Sequence, residues 1–422
     1  MEKVKKPNGF FPAVFMVIKK QIPARGLDWE KEGMGMNSRT WAEINLDALA
    51  HNMQNIRAAT DKNAMVMAVV KADAYGHGVL ECAKVLLENG ADRLAVSCMD
   101  EAIQLRRAGF SVPVLILGAL FEDEADDAVK YDITPTVFSK ASAKLLSDAA
   151  VKQGKTAKAH IKIDTGMARI GYVAGIDDAA VVAEILEIAA LPNLELEGIF
   201  THFATADERQ EDYTRLQFAR FMKLCNMLEE AGLYIPVRHA ANSAAVMMYP
   251  EMHLDMVRPG IILYGFYPSE EVDRTRLALE KVMTVKSRVT MVKQLGKEHG
   301  VSYGKEYITS RDTKIATVPI GYADGYTRLL KNKAKMIANG KIVPVIGRIC
   351  MDQCMIDVTS VHNISTGDEV IIFGTDTITA DDLAKMLGTI SYEIICMIAK
   401  RIPRVYFKNG EAVTTLNYLS KL

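Results

Sequence analysis

The stretch AMVMAVVKADAYGHG, residues 64–78, reads as a buried strand that ends in chemistry. Its near-continuous apolar run suits a strand covered on both faces, as in a parallel sheet flanked by helices. Lys71, Asp73, Tyr75 and His77 then crowd its carboxyl end. The texture recurs downstream in RLAVSC, PVLILG, ITPTVF, KAHIKID, LELEGIFTHF, IPVRHAA and DMVRPGIILYG. Helical-period segments separate these runs; in residues 211–233 apolar side chains fall every three or four positions, with Gly232 as the expected C-cap. Eight such units in about 200 residues is the count for an α/β fold of the (β/α)8 TIM-type barrel class. A doubly wound open sheet uses fewer units and gives no reason for eight.

Beyond about residue 279 the pattern changes. VMTVKSRVTMV, KIATVPIG, KIVPVIGRICM, QCMIDV and DEVIIF follow one another with Gly, Asp and Asn turns, and one clear helix, residues 380–388, intervenes. The expected organisation is therefore an N-terminal extension over 1–37, a barrel over 38–279 and a C-terminal mainly β domain over 280–422.

Composition narrows the partners. The 422 residues carry 51 Lys+Arg against 52 Asp+Glu, a formal charge of -1, which leaves no basic excess to drive counterion release on nucleic acid. Apolar residues at 49% and charged residues at 24% describe an ordinary globular chain rather than a disordered one. Six scattered cysteines without a CxxC pair argue against a disulfide scaffold or a metal site and for reduced thiols in the cytoplasm. The apolar run at residues 9–18 is half a membrane span and is interrupted by Pro12. Lys3, Lys5 and Lys6 imitate a signal peptide, but Lys19 and Lys20 end the run and no small-residue cleavage site follows. Residues 1–37 are read as a loosely ordered extension, or as sequence upstream of a start near Met34 or Met36. Small molecules and other copies of the chain are the expected partners, with no nucleic acid and no membrane.

Functional residues of such barrels gather at the carboxyl ends of the strands. Those positions hold Lys71, Asp73, Tyr75 and His77; Lys162, Asp164 and Arg169; His202 and Asp207; His239, Asn242 and Ser243; and Arg258 beside Gly260. Packing alone does not require so many polar groups at one rim. A lysine closing an apolar strand either snorkels outward or is held in a low-dielectric site, where it can react with an aldehyde. Asn242 and Ser243 opening a helix, with backbone N–H groups near Gly260 and Ile261, supply a phosphate cradle after the seventh and eighth strands. Aldehyde-accepting lysine plus phosphate cradle, without a nucleotide-binding glycine signature, points to pyridoxal 5'-phosphate.

With these residues the chain resembles the alanine racemases. The resemblance runs from TWAEINLDAL (residues 40–49) to IPRVYF (residues 402–407) and takes in, in order, VVKADAYGHG, KIDTGMARIG, THFATADE, HAANSAA, MVRPGIILYGFYP, VSYGKEY, PIGYADGY, GRICMDQ and SYEIICMI. It implies a pyridoxal-phosphate-dependent isomerase that interconverts L- and D-alanine by two-base proton transfer and supplies D-alanine for peptidoglycan. It implies a homodimer with shared active sites and no metal. By the same resemblance Lys71 matches the Schiff-base lysine, and Tyr75, Asn242, Ser243, Gly260, Ile261 and Tyr392 line the cofactor's phosphate side. Arg258 matches the arginine at the pyridine nitrogen, and Arg169 the one near the phenolic oxygen. His202 links Arg258 to Tyr303, the second base, which one subunit places in its partner's site. Met351 and Arg169 contact the substrate carboxylate, and Lys162 matches a lysine that many relatives carbamylate. Tyr322 and Tyr392 either narrow the channel to a methyl-sized side chain or are core aromatics with satisfied hydroxyls. Ala168 departs from the glycine common at that position.

Lys71 is expected to serve the D-enantiomer and Tyr303 the L-enantiomer. Free lysine and tyrosine titrate near pH 10, so each needs an environment that releases its proton near neutrality. A guanidinium cannot hand over a full proton, so Arg258 makes the ring a weaker electron sink than a carboxylate partner would. Arg258→Glu is expected to raise side transamination. Lys162 reads equally as an ordinary lysine with Asp164 as its charge partner, and Asp352 either orients Tyr303 or pairs with Arg348. The rivals are a serine or lysine racemase of the same architecture, an amino-acid decarboxylase, and a non-catalytic pyridoxal-phosphate carrier.

Overall fold

The computed structural model describes residues 38–421, so the expectations for residues 1–37 fall outside the described residues. The first strand, β1 (Thr40–Asn45), leads directly into the helix Leu46–Ala59, whose start is capped by the Asn45 side chain accepting from the N–H groups of Asp47 and Ala48. Then come β2 (Met65–Val69), β3 (Arg93–Val96), β4 (Val114–Ala119), β5 (Thr134–Val137), β6 (Ala157–Asp164), the short β7 (Tyr172–Val173), β8 (Leu194–Phe200), β9 (Val237–His239) and β10 (Met256–Val257). Eight of these run parallel in the order β10-β2-β3-β4-β5-β6-β8-β9, with β7 a side pairing on β6. The N–H of Asp255 to the Arg238 carbonyl (3.1 Å) and of Arg258 to the Ala241 carbonyl (2.9 Å) join the two end strands and close the ring.

The helices lie outside. Asp212–Glu230 buries Phe221, Leu224, Cys225 and Leu228, with Ala231 as its cap and Gly232 just beyond at φ 88°. Leu49, Met53 and Ile56 of the first helix are fully buried, each contributing about 1.5–3 kcal/mol of transfer free energy. Among the described residues no helix is long and apolar enough to cross a membrane.

The second sheet is built from β11 (Met283–Arg288), β12 (Met291–Leu295), β15 (Thr313–Val318), β16 (Lys335–Ala338), β17 (Lys341–Ile346), β18 (Cys354–Asp357), β19 (Glu369–Phe373), β20 (Arg404–Lys408) and β21 (Glu411–Leu416). A separate ribbon pairs β13 (Gly300–Val301) with β14 (Tyr307–Ile308). Two features differ from the expected organisation. β1, assigned from its position to the barrel segment 38–279, sits in the second sheet, antiparallel to β11 and parallel to β20. Chain proximity favoured the barrel, but the backbone ladders of β1 run to β11 and β20, and Trp41, Ala42 and Ile44 are buried there. A second helix, Ser391–Cys396, follows the expected one at Ala380–Leu387.

Candidate active site

Lys71 does not simply end its strand. It opens one turn of left-handed helix in which Ala72, Asp73, Ala74 and Tyr75 have φ of 51°, 56°, 54° and 53°. L-residues in this region cost roughly 1–2 kcal/mol each, so surrounding contacts must hold the turn. Within it, Ala74 N–H bonds to Val70 O and Gly76 N–H to Ala72 O, both at 2.9 Å. Glu101 accepts from the N–H groups of Ala72 and Ser97, each at 2.7 Å, and ties the turn to the next strand. Burial, then the positive charge of Arg169, lowers the pKa of the half-buried Lys71 amine. The turn thus presents an amine biased toward its neutral, nucleophilic form.

The same turn seats Tyr75, whose ring lies 4.9 Å from Tyr264 and 6.2 Å from Tyr392. Burial pushes the hydroxyls of Tyr75 and Tyr392 up, so both keep their protons and act as donors at neutral pH. Ser243 opens the helix Ser243–Met248, capped by Asn242 accepting from Ala245 N–H at 3.1 Å. Its Oγ accepts from Gly260 N–H at 2.8 Å, which pins Gly260 and Ile261 beside it. A Cβ on Gly260 would stand 2.7 Å from the Tyr75 hydroxyl, so glycine is required for this approach. Tyr264 carried no signal in the sequence beyond an apolar run; it donates to Val69 O at 3.0 Å and stacks on His77. Burial lowers His77 to about 3, and its Nδ1 bonds to the carbonyls of Ala74 and Tyr75.

Arg258 is buried and heavily tethered. Nη2 donates to Thr201 O (2.7 Å) and Ala240 O (3.0 Å), with His202 Nδ1 at 3.4 Å, and Nη1 donates to His239 Nδ1 at 3.0 Å. Burial, then Arg169, lowers its pKa to about 9, which leaves it cationic at neutral pH. His239 Nε2 lies 2.8 Å from His160 Nδ1, and His160 Nε2 lies 3.2 Å from Glu197 Oε2. Burial keeps both histidines neutral. One tautomer satisfies every link: each ring donates from Nε2 and accepts at Nδ1, giving a polarised chain Arg258→His239→His160→Glu197 through the barrel interior. Arg93 (2.6 Å) and Lys158 (2.9 Å) also donate to Glu197. Burial raises the Glu197 pKa, but the bonds from His160, Arg93 and Lys158 outweigh it and hold the carboxyl well below its usual range. His239 was visible as a rim residue; His160 and Glu197, inside strands, were not.

Lys162 is buried under Phe200, with Nζ 5.2 Å from the ring centroid, and donates to Ile163 O at 2.8 Å. Burial, then Arg258, lowers its pKa to about 7. The expected pairing with Asp164 is not formed: Asp164 instead accepts from the N–H groups of Gly166 (2.9 Å) and Ala168 (3.1 Å) and shapes the loop carrying Arg169. Ala168 itself sits at φ 55°, in the region that favours glycine. Arg169 is exposed and lines, with Arg220, a cavity of about 520 Å³ along this loop; Lys71 is not in its lining. Burial, then Arg258, holds His202 well below the usual imidazole value.

Tyr303, Tyr322 and Met351 lie in the C-terminal, mainly β part of the chain and are 68%, 41% and 53% exposed. Ser302 Oγ donates to Arg348 O (2.6 Å), and the N–H groups of Tyr322 and Ala323 reach Cys350 O (3.1 Å) and Met351 O (3.0 Å), so three loops form one patch. The structure unites these three with one another and not with Lys71 of the same chain. Of the two readings of Asp352, the pairing with Arg348 is not formed: Arg348 bonds Glu306, and Asp352 bonds Arg401 at 2.6 Å. Arg401 and Arg39 converge on buried Asp324 at 2.7 and 2.8 Å, which also accepts from Gly321 N–H and fixes the loop bearing Tyr322.

Comparison with known proteins covers both units. A family model described as alanine racemase, N-terminal domain, matches residues 44–268, and one described as alanine racemase, C-terminal domain, matches residues 282–406. An alanine racemase of Clostridium tetani is 49% identical over 90% of this chain and 98% of its own length. One of Desulforamulus reducens is 50% identical over 88% and 100%. Among solved structures, alanine racemase of Clostridium difficile 630 superposes with a TM-score of 0.89 at 45% identity, covering 91% of this chain and all of the other. That of Bacillus anthracis with bound L-Ala-P has a TM-score of 0.85 at 39% identity over 92% and 100%.

Proposed function

The chain belongs to the alanine racemase family, and from that premise we propose that it interconverts L-alanine and D-alanine with pyridoxal 5'-phosphate held at the barrel mouth. The observation that carries the reading is the Lys71 amine, lowered in pKa and fixed one turn from a set of hydroxyl and amide donors. The residues fit the cofactor: Tyr75 and Tyr392 keep their protons, Ser243 and Gly260 are locked together, and a Cβ would fill the space at Gly260. Lys71 would hold the aldehyde carbon, and Tyr75, Ser243, Ile261 and Tyr392 the phosphate. When bound, the cofactor supplies a ring that draws electrons from the substrate Cα.

The chain's own groups then manage the protons. Nζ of Lys71, once freed by substrate, takes or returns the proton at Cα on the face serving the D-enantiomer. Tyr303 from a second copy of the chain does so on the opposite face, and its high exposure in its own chain supports a site completed in trans. Arg258 would meet the pyridine nitrogen as a cation that keeps its own proton, with His202 beside it. Arg169 and the second copy's Met351 would hold the substrate carboxylate, and Tyr322 would restrict the side chain to methyl size. Lys162, lowered to about 7 by burial, is suited to carbamylation. A cytoplasmic homodimer supplying D-alanine for peptidoglycan is the setting this reading implies.

The test is chiral chromatography after incubating the full chain and pyridoxal phosphate with L-alanine, L-serine or L-lysine. D-alanine alone, lost in Lys71→Ala, is expected. Comparable inversion of serine or lysine reassigns the substrate, and inversion of none refutes the activity.

A further inference from the structure

The strained turn after Lys71 is held from outside the barrel. Asp73 is its hub: Oδ1 accepts from Val79 N–H at 2.8 Å, starting the helix Val79–Glu88, and the main-chain carbonyl accepts from Gly78 N–H at 2.9 Å. Oδ2 accepts from the hydroxyl of Tyr418, four residues from the end of the chain. Two further anchors come from β20. Arg404, buried, donates from Nε to Gly76 O at 2.9 Å while its Nη atoms reach the carbonyls of Ile398, Ala399 and Ile402. Tyr406, also buried, donates to His77 O at 3.1 Å.

Clearance is minimal along this face. A Cβ on Gly76 would stand 2.5 Å from Ile395 O, and one on Gly78 1.9 Å from the Tyr406 hydroxyl. The Tyr418 ring is flanked by Arg404 at 5.6 Å and Lys400 at 5.5 Å, so the hydroxyl that meets Asp73 is itself held in place. Burial, then the Asp73 carboxylate, pushes Tyr418 up, so it keeps the proton it donates.

We propose that Tyr418 is a positioning residue for Lys71: through Asp73 it latches the left-handed turn shut and so fixes the reactive amine relative to Tyr75 and the Ser243–Gly260 cradle. Backbone strain at a functional site persists only where its surroundings over-determine it. Here the barrel supplies the strained turn, and β20 together with the turn that follows β21 supplies the restraint. Arg404 and Tyr406 are buried and serve packing as well, whereas in the half-buried Tyr418 the hydroxyl makes one bond, to Asp73, that can be removed while the ring keeps its contacts with Arg404 and Lys400. Lys71 must leave and regain a covalent partner in each turnover, so its Cα has to stay put while the side chain moves.

The inference rests on Lys71 being the cofactor amine, and the experiment separates the two. Full-length protein freed of cofactor is titrated with pyridoxal phosphate, followed by absorbance, borohydride reduction and peptide mapping, for wild type, Tyr418→Phe, Asp73→Asn and the double variant. Trapping at Lys71 in wild type, with apparent affinity weakened about tenfold in Tyr418→Phe and unchanged in Leu419→Ala, is expected. The double variant should be no weaker than Asp73→Asn alone. Hydrogen exchange of the amides at 74–79 should quicken in Tyr418→Phe while the melting temperature stays close to wild type. Wild-type affinity and exchange in Tyr418→Phe, or additive losses in the double variant, overturn the latch. Wild-type trapping at another lysine overturns the reading of Lys71 instead. If Tyr418→Phe fails to fold, Asp73→Asn, which keeps every apolar contact, decides by the same exchange and titration.

Discussion

Replacing Glu197 by glutamine removes the charge at the base of the chain that tethers Arg258 while leaving the side-chain shape intact. The Glu197 side chain is 8% exposed, and two of its donors are as well shielded: Arg93 is 13% and His160 0% exposed. Removing one partner of a buried ion pair costs about 3–5 kcal/mol. Two features reduce that figure here. Glutamine still accepts one hydrogen bond, and Lys158, 45% exposed, regains water. The expected loss is about 2–3 kcal/mol at pH 7, seen as a fall of roughly 3 °C in melting temperature for a chain of this length. The pH dependence has a definite sign. The folded-state pKa of Glu197 lies below the free value of 4.5, so its stabilisation is complete above that value and is lost as pH falls toward the folded one. The gap between wild type and Glu197→Gln should therefore be flat from pH 7 to about 5 and narrow as pH is lowered below about 4.5. Arg93→Met in the Glu197→Gln background should cost less than in wild type, because the cation no longer loses a partner. A gap that stays flat below about pH 4.5, or a loss below about 0.5 kcal/mol, would refute the account of Glu197 as the anchor.

Ala168→Gly relieves an L-residue at φ 55° on an exposed loop and should stabilise by about 0.5–1 kcal/mol after the glycine's extra chain entropy is counted; an unchanged or lower melting temperature counts against strain there. Gly78→Ala and Gly109→Ala share nearly the same φ, 90° and 89°, but only the first meets an atom, Tyr406 Oη at 1.9 Å. Gly109→Ala should cost about 1–2 kcal/mol and Gly78→Ala at least about 1 kcal/mol more; equal melting temperatures would show that Tyr406 yields freely. Lys162, at about 7 by burial, is largely uncharged at mildly alkaline pH, so carbon-13 bicarbonate should give a carbamate resonance that Lys162→Arg abolishes. A spectrum identical in both proteins would leave it an ordinary lysine.

Much of the molecule was written locally. The eight apolar runs, each bounded by turn residues, specify parallel strands because period and burial act over a few neighbours. Lys71, Tyr75, Ser243, Gly260 and Arg258 stood out for the same reason: polar or conformationally special residues at the ends of apolar strands. Asn242 as a helix cap follows from three residues of sequence.

Other features depend on partners distant in the chain. β1 looks like the first strand of whatever follows it, and only the pairing of Ala42 with Val285 and Arg404 assigns it to the second sheet. His160 and Glu197 lie in a strand-like pattern where a polar residue is locally indistinguishable from one facing solvent; the closed ring turns them inward onto His239 and Arg93. Asp73 bonds locally to Val79, but its tie to the C-terminal segment comes only through Tyr418, 345 positions away. The left-handed turn is the clearest case, since Ala72, Asp73, Ala74 and Tyr75 prefer right-handed or extended backbone when left to themselves. Local sequence set the strands, the caps and the reactive side chains, because those rest on interactions within a few residues. Tertiary structure alone decided the backbone that presents Lys71 and the hydrogen-bond chain behind Arg258, because strain and buried charge persist only where distant groups compensate for them.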